Sequence, residues 1–535
     1  MLSLVIDPSH RHWGRAPSRP KLRTGLVMPM TPINVTHPFL DADGDKLREE
    51  CGIFGAINAA DAAAATALGL HALQHRGQEA AGIVSFDGSE FYVRRGLGHV
   101  AENFSSSGAI AELPGHMAAG HVRYSTTGGA GLRNVQPLYA DLASGGFAVA
   151  HNGNISNAMM LRADLVAKGS IFQSTSDTEV IIHLVATSRY PTIADRLVDA
   201  LRLVEGAYAL IVMTPEGMIA CRDPLGIRPL VMGRMGESIL FASETVAFDV
   251  VGAEVIREVE PGELVLVDFS GEIRSVRPFG SPPPRPCIFE HVYLARPDSI
   301  IDGTSVYRTR LRMGQKLAQQ ILRDWPDHDI DVVIPIPDTS RTAAHELALL
   351  LGVPFREGFI KNRYIGRTFI MPGQKQRKKS VRQKLNPIGL EFKGRNVLLV
   401  DDSIVRGTTC QQIIDMAREA GASKVYFASA APPVRYPNVY GIDMPAASEL
   451  IASGRSEAEI AQVIGADRLF YQTLPDLIAS CVEENPAITE YETSIFTGRY
   501  VTNDVSPAYL LNLETQRNDS AQAGRADKSP MVDFV

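Results

Sequence analysis

Hydrophobic and polar positions divide the chain into stretches of different periodicity. From Cys51 to Ile57 the run Cys-Gly-Ile-Phe-Gly-Ala-Ile is almost wholly apolar and reads as a buried strand. Ala62–Leu73 follows, alanine-rich, as a helix that packs closely. Up to about Val267, short β-like runs (Gly146–His151, Ala207–Met213, Glu263–Val267) alternate with helices such as Thr178–Thr187. Antiparallel sheets covered by helices are the simplest architecture for that order. Ser281-Pro-Pro-Pro-Arg-Pro286 then reads as a linker, since prolines stiffen the chain and cannot continue either regular element. Beyond it, Val332–Ile336 and Val397–Val400 are unbroken apolar runs, the mark of strands buried on both faces, and helices such as Gln411–Ala420 alternate with them. This is α/β organisation around a parallel sheet.

The two ends differ from the middle. Ser9–Arg23 carries Arg11, Arg15, Arg19, Lys21 and Arg23, has no periodicity, and lacks the apolar core of a secretory signal. It is read as a structureless leader or an early start, with Met28 and Met30 as alternative starts. Its arginine-rich, acid-poor character also leaves a transit peptide open. The tail from about Gln516 is polar and expected to be disordered. The expected domains are thus a leader over 1–50, whose expected removal exposes Cys51, a first domain over 51–285, a second over 286–505, and a tail over 506–535.

Composition narrows the class. A chain of 535 residues, 45% hydrophobic and 21% charged, builds two or three cores. A net charge of −7 argues against general nucleic-acid binding, and no apolar run reaches the 18 or so residues of a membrane helix. The five cysteines are scattered, with no Cys-x-x-Cys pair, which fits a reducing, cytoplasmic setting.

The sharpest chemistry lies in Asn396-Val-Leu-Leu-Val-Asp-Asp-Ser-Ile-Val-Arg-Gly-Thr-Thr409. An apolar strand ends in two acids, a glycine–hydroxyl loop follows, and a helix begins. Ligands of open parallel sheets bind at strand carboxyl ends, and a helix N-terminus offers free N–H groups to phosphate. Gly407 permits close approach, Ser403, Thr408 and Thr409 can donate, and Arg406 lies in the same stretch. Asp401 and Asp402, being anions, suit ribose hydroxyls or the magnesium that accompanies pyrophosphate. A bare acid pair would more often be a helix-capping turn; here the four features agree. A second strand end, Asp338-Thr339-Ser340-Arg-Thr342, is placed to hold pyrophosphate, although alone it reads equally well as an ordinary strand–helix turn. Between the two, Lys361–Lys384 carries nine Lys/Arg, Arg367 among them, and no acid. It reads as a lid over an anionic substrate in preference to an RNA patch.

The first domain holds a second constellation: Cys51-Gly-Ile-Phe-Gly, Gln74-His-Arg-Gly-Gln78, Gly120-His-Val-Arg-Tyr-Ser-Thr126, His151-Asn-Gly-Asn154 and Ser176-Asp-Thr-Glu179. A cysteine before a strand is usually packing. If the chain is cut between Glu50 and Cys51, however, a thiol and a free α-amino group share one residue. That amine, with a pKa of about 7.7–8.0, can serve as the base without a histidine. Asn152 and the Gly153 N–H can meet an oxyanion, Arg123 can grip a substrate carboxylate, and Asp177 can take its ammonium. Arg76 is assigned to the same amino-acid substrate. Singly these residues read as an ion pair, a helix cap or a hairpin turn; together they describe a glutaminase.

These motifs resemble class II, N-terminal-nucleophile glutamine amidotransferases, and the later segment resembles the phosphoribosyl pyrophosphate (PRPP) fingerprint of type I phosphoribosyltransferases. Their union over about Cys51–Val501 resembles the amidophosphoribosyltransferase family, with Glu290-His-Val-Tyr-Leu replacing the family's usual Glu-Tyr-Val-Tyr-Phe. The resemblance implies an αββα glutaminase sandwich followed by a parallel-sheet phosphoribosyltransferase domain. It implies the first step of purine synthesis, from glutamine, PRPP and water to phosphoribosylamine, glutamate and pyrophosphate. It further implies one magnesium per subunit at Ser305, Asp401 and Asp402, a homotetramer, ammonia channelling, and feedback by AMP and GMP. Some members carry an iron–sulfur cluster on four cysteines. Here only Cys287 matches; Asn438 stands at a second position and Tyr491–Ile495 lacks the remaining pair, so no cluster is expected. Sugar or asparagine synthases sharing the first domain would lack the Val400–Thr409 loop, and a PRPP-sensing regulator would not need Cys51 with Arg123, Asn152 and Asp177.

Overall fold

The structure is a computed structural model that describes residues 48–49, 51–124, 131–361, 385–511 and 513. The leader up to 47, Glu50, the basic lid with Arg367, and the tail from 514 lie outside the described residues.

The first half folds as two antiparallel sheets. Cys51–Ile57 is the central strand of a seven-stranded sheet, flanked by Ser238–Ala242 and Met117–Arg123. The second sheet has six strands, with Gly206–Thr214 lying between Gly145–Ile155 and Gly217–Arg222. Alternation along each strand explains the layering. Ile53 and Ile57 face Ala148, Ala150, Ala209 and Ile211 across the gap between the sheets. Phe54 and Ala56 point the other way, onto the helix Ala62–Ala72 and Phe248. The outer face of the second sheet is covered by helices Ala158–Ala167, Glu179–Thr187 and Ile193–Leu201. This is the αββα sandwich. Both faces of each sheet are covered, so its strands read as apolar runs and not as alternation. Each fully buried Phe or Ile contributes about 1.5–3 kcal/mol through burial.

The second half is built on a four-stranded parallel sheet ordered Val332–Pro335, Asn396–Asp401, Lys424–Ser429, Arg468–Tyr471. Helices Val306–Asp324 and Arg341–Leu351 cover one face, and Thr408–Glu419 and Glu457–Ile464 cover the other. The prolines before Cys287 carry no regular element, as the linker reading expects. The junction is nevertheless held firmly. Cys287 N–H donates to Ile227 O at 3.1 Å, and the buried turn Glu290–Leu294 joins an apolar cluster running from Ala207 and Ile227 to Val405 and Ala430. Arg48–Glu49 pairs antiparallel with Ile442–Asp443, so the backbone just before Cys51 lies beside the second half. Among the described residues no helix is long and apolar enough to cross a membrane.

Candidate active site

Strand register gathers the first constellation. Cys51 and Arg123 are direct cross-strand partners, so their side chains share a face. Cys51 has the parity of Ile53 and Ile57, Arg123 that of Met117 and Ala119, and Asn152 that of Ala148 and Ala150, all of which line the gap between the sheets. The three residues therefore converge at one end of that gap, where each is buried. Gly153 follows at φ 138°, a conformation costly for any residue with a Cβ, and a Cβ there would lie 2.1 Å from Ala207 O. Asp177 is only partly buried. Its carboxylate accepts from Ile155 N–H (2.9 Å) and Thr178 N–H (2.8 Å), which holds it at the end of the Asn152 strand. His121 shares the gap, but burial pushes its pKa down to about 3, so it is a poor base near neutrality.

Arg76 sits between the two halves. It is fully buried, with Nε on Glu244 and Nη2 on Glu290 at 2.5 Å, while Glu290 also meets Arg228 at 3.1 Å. Two carboxylates of the protein, one from each half, hold its guanidinium, which ties the halves together at this point. Ser125 and Thr126 lie outside the described residues.

The second constellation forms at the carboxyl end of the parallel sheet. Asp401 ends its strand, and Asp402 N–H turns back onto Asp401 Oδ1 at 3.0 Å; both acids are nearly inaccessible. Ser403 Oγ donates to Asp402 Oδ1 at 2.8 Å. Gly407 sits at φ 82°, where a Cβ would strike Ile451 Cδ1 at 2.2 Å, and begins the twelve-residue helix Thr408–Glu419. Thr408 and Thr409 thus present the first free N–H groups of that helix. Arg406 pairs with Glu449 at 2.9 Å. In the neighbouring loop, Asp338 pairs with Arg341 (3.1 Å) and Lys361 (3.4 Å), and Ser340 Oγ donates to Ile336 O at 2.6 Å, bracing the loop.

Ser305 is placed at a helix start: its hydroxyl accepts from Arg308 N–H as the N-cap of the helix Val306–Asp324, and its own N–H donates to Glu484 at 2.7 Å. The hydroxyl brought to the acid pair is that of Thr339, which donates to Asp402 Oδ2. Sequence reading placed Thr339 only in the pyrophosphate loop; the signal available was its place at a strand end parallel to the strand of Asp402.

At the positions associated with a cluster, Cys287 is buried beside Glu492, and burial pushes its thiol pKa up. Asn438 Oδ1 accepts from Tyr440 N–H (2.7 Å) and Ile442 N–H (3.1 Å), shaping a loop that was not anticipated. That loop reaches the first site: Asn154 Nδ2 donates to Val439 O at 2.9 Å.

Comparison with known proteins agrees with this two-part layout. Residues 121–250 match a glutamine amidotransferase domain family, and residues 304–438 a phosphoribosyl transferase domain family. An amidophosphoribosyltransferase of Pseudomonas aeruginosa is 51% identical over 90% of this chain and 99% of its own length. One of Escherichia coli is 49% identical over 88% of this chain and 97% of its own length. A solved glutamine PRPP amidotransferase of B. subtilis, complexed with ADP and GMP, superposes with a TM-score of 0.79 at 43% identity, covering 85% of this chain and 98% of that one.

Proposed function

Given that the chain belongs to the amidophosphoribosyltransferase family, we propose that Cys51 releases ammonia from glutamine and that Asp401–Thr409 holds the PRPP that receives it. The overall reaction joins glutamine, PRPP and water into phosphoribosylamine, glutamate and pyrophosphate, the first step of purine synthesis.

In this reading the chain is cut between Glu50 and Cys51. The freed α-amino group takes the thiol proton, and the thiolate attacks the glutamine amide carbon. The Asn152 side chain and Gly153 N–H receive the oxyanion. Arg123 grips the glutamine carboxylate and Asp177 its ammonium. The amine returns the proton to the leaving nitrogen, ammonia departs, and water hydrolyses the thioester to glutamate. Ammonia then displaces pyrophosphate at the anomeric carbon. Ser403, Gly407, Thr408 and Thr409 are assigned to the 5′-phosphate side, and Asp338, Thr339, Ser340 and Arg367 to pyrophosphate. The convergence of Cys51 and Arg123 from one sheet and Asn152 from the other on one end of the gap between them carries the proposal.

Magnesium suits the second site. It takes oxygen ligands, retains waters and substrate phosphates, and needs only one or two carboxylates. Asp401 and Asp402 supply those carboxylates at a buried strand end, with the Thr339 hydroxyl alongside. When bound, the ion would offset charge on the departing pyrophosphate. An iron–sulfur cluster is not part of the proposal, since it needs four thiolates and Asn438 is already committed to backbone N–H groups. AMP and GMP are proposed as feedback ligands, supported by the ADP and GMP in the B. subtilis structure. A homotetramer and a cytoplasmic setting follow the same family reading, and the five cysteines, none of them in a disulfide among the described residues, suit a reducing compartment.

The deciding experiment is Cys51→Ala, assayed with glutamine and separately with ammonia. Glutamine-dependent synthesis should vanish while ammonia-dependent synthesis persists. Loss of both together would overturn the two-site scheme.

A further inference from the structure

We propose that Ser243 is a positioning residue for glutamine hydrolysis, its hydroxyl fixing the rotation of the Asn152 carboxamide. The inference rests on Asn152 serving as oxyanion donor and names the group that aims it.

Ser243 follows the strand Ser238–Ala242, which pairs with the strand of Cys51. Its N–H donates to Ile53 O at 3.1 Å, and its Oγ accepts from Ile53 N–H at 3.0 Å. It is thus locked, through both backbone and side chain, to a residue two positions from Cys51. By alternation with Ile239 and Phe241 it faces the gap between the sheets, as Asn152 does from the opposite sheet. There Asn152 Nδ2 reaches Ser243 Oγ at 3.4 Å.

Asn152 is entirely inaccessible, and among the described residues its side chain makes this one hydrogen bond. The final torsion of an Asn side chain is broad, so packing alone aims its N–H poorly. A donor that must meet an oxyanion therefore needs a partner that stops rotation, and Ser243 is that partner. Because Ser243 Oγ accepts from Ile53, its own proton stays free to turn, and the serine can hold either edge of the amide.

The anchor itself is rigid. Glu244, the next residue, accepts from His75 Nε2 (2.7 Å), Arg76 Nε, Arg296 N–H (3.0 Å) and Ser299 Oγ (2.6 Å). Burial alone would raise the Glu244 pKa, but His75 and Arg76 more than offset it and hold the carboxyl below the usual range. Four partners on one buried carboxylate leave the backbone at Ser243 little freedom.

The test is Ser243→Ala, Ser243→Thr, Asn152→Ala and the double variant Ser243→Ala/Asn152→Ala, with glutaminase kcat and KM measured and ammonia-dependent synthesis as the check on folding. Removing an oxyanion donor costs about 10²–10³ in kcat, so misaiming it in Ser243→Ala should cost about 10- to 100-fold. The KM for glutamine should stay within about twofold, because the oxyanion forms only in the transition state. Ser243→Thr keeps the hydroxyl and should recover most of the loss. In the Asn152→Ala background the serine change should cost less than about twofold more, since the two residues act as a unit. An equal loss in both backgrounds, or an unchanged kcat in Ser243→Ala, would refute the positioning role. Full glutaminase in Asn152→Ala alone would instead remove the oxyanion reading on which the proposal rests.

Discussion

Gly441 of the second half rests on Gly153 of the first. A Cβ at Gly441 would lie 2.9 Å from Gly153 Cα, and Gly441 itself holds φ 108°. The backbone that is to meet the oxyanion is therefore backed by a loop from the phosphoribosyl side, shaped by the Asn438 amide. Gly441→Ala adds both backbone strain and a methyl group pressed onto Gly153. A displacement of the order of 1 Å at a reacting site can cost about 100-fold. Glutamine-dependent synthesis should fall about 10- to 100-fold in this variant while ammonia-dependent synthesis stays within about threefold, as parallel assays with the two nitrogen sources would show.

The hydroxyls of Thr339 and Ser305 should separate cleanly. Thr339 donates to Asp402 in the acid loop, whereas Ser305 caps a helix and is held by Glu484. Hydrogen bonds to charged groups are worth about 1.5–3 kcal/mol. Thr339→Val should therefore raise the KM for PRPP about tenfold or more with either nitrogen source. Ser305→Ala should leave that KM within about twofold and lower stability by about 1 kcal/mol, the usual cost of a lost N-cap. Steady-state kinetics beside a denaturant titration distinguishes them; a PRPP defect confined to Ser305→Ala would reverse the assignment.

Both placements mark what linear sequence conceals. The strand Cys51–Ile57 and the helix after it were legible because burial on both faces leaves an apolar run and close packing selects alanine. The strand end at Asp401–Asp402 and the helix start at Gly407 were legible because those positions demand particular residue types at fixed spacing, whereas Asn152-Gly153 looks like a turn but lies inside the strand Gly145–Ile155. Arg76 was not, because its partners Glu244 and Glu290 stand 168 and 214 residues away and a short Gln-His-Arg-Gly run looks polar whichever way it faces. Thr339 meets Asp402 across 63 residues, a proximity created only by parallel pairing of their strands. The Asn438–Gly441 loop reads as an ordinary turn, and its contact with Gly153 exists only once the two halves dock.

For Arg76 a structural tie and a glutamine ligand predict different behaviour. Truncating one member of a buried ion-pair network leaves charge uncompensated, at a cost of about 3–5 kcal/mol. Arg76→Ala takes one cation from Glu244, which keeps His75, Arg296 N–H and Ser299, and one from Glu290, which keeps Arg228. The variant should unfold at markedly lower denaturant and lose glutamine- and ammonia-dependent activity in parallel. A glutamine ligand would behave differently, raising the KM for glutamine while unfolding and ammonia use stayed near wild type.

Glu258 sets a pH dependence at the contact between the two halves. Its Oε1 accepts from Asp302 N–H at 3.0 Å. Asp302 is gripped by Arg222 at 2.6 and 2.8 Å, and the other Arg222 donors go to the carbonyls of Arg228, Val259 and Gly226. Burial first, and the Asp302 charge second, push Glu258 up to about 8, only partly opposed by Arg222. The folded state thus holds the proton more tightly than the unfolded chain, where the carboxyl has its ordinary value of 4.5. The stability tied to that proton is fully present below about pH 4.5, declines as pH rises, and is gone above about 8. Glu258→Gln has no proton to lose and should escape the decline. Urea midpoints at pH 5, 6, 7, 8 and 9 should show wild type losing ground steadily to the variant up to about pH 8, after which the gap between them stays constant. Parallel curves across the whole range would mean that Glu258 ionises in the folded protein as it does in water.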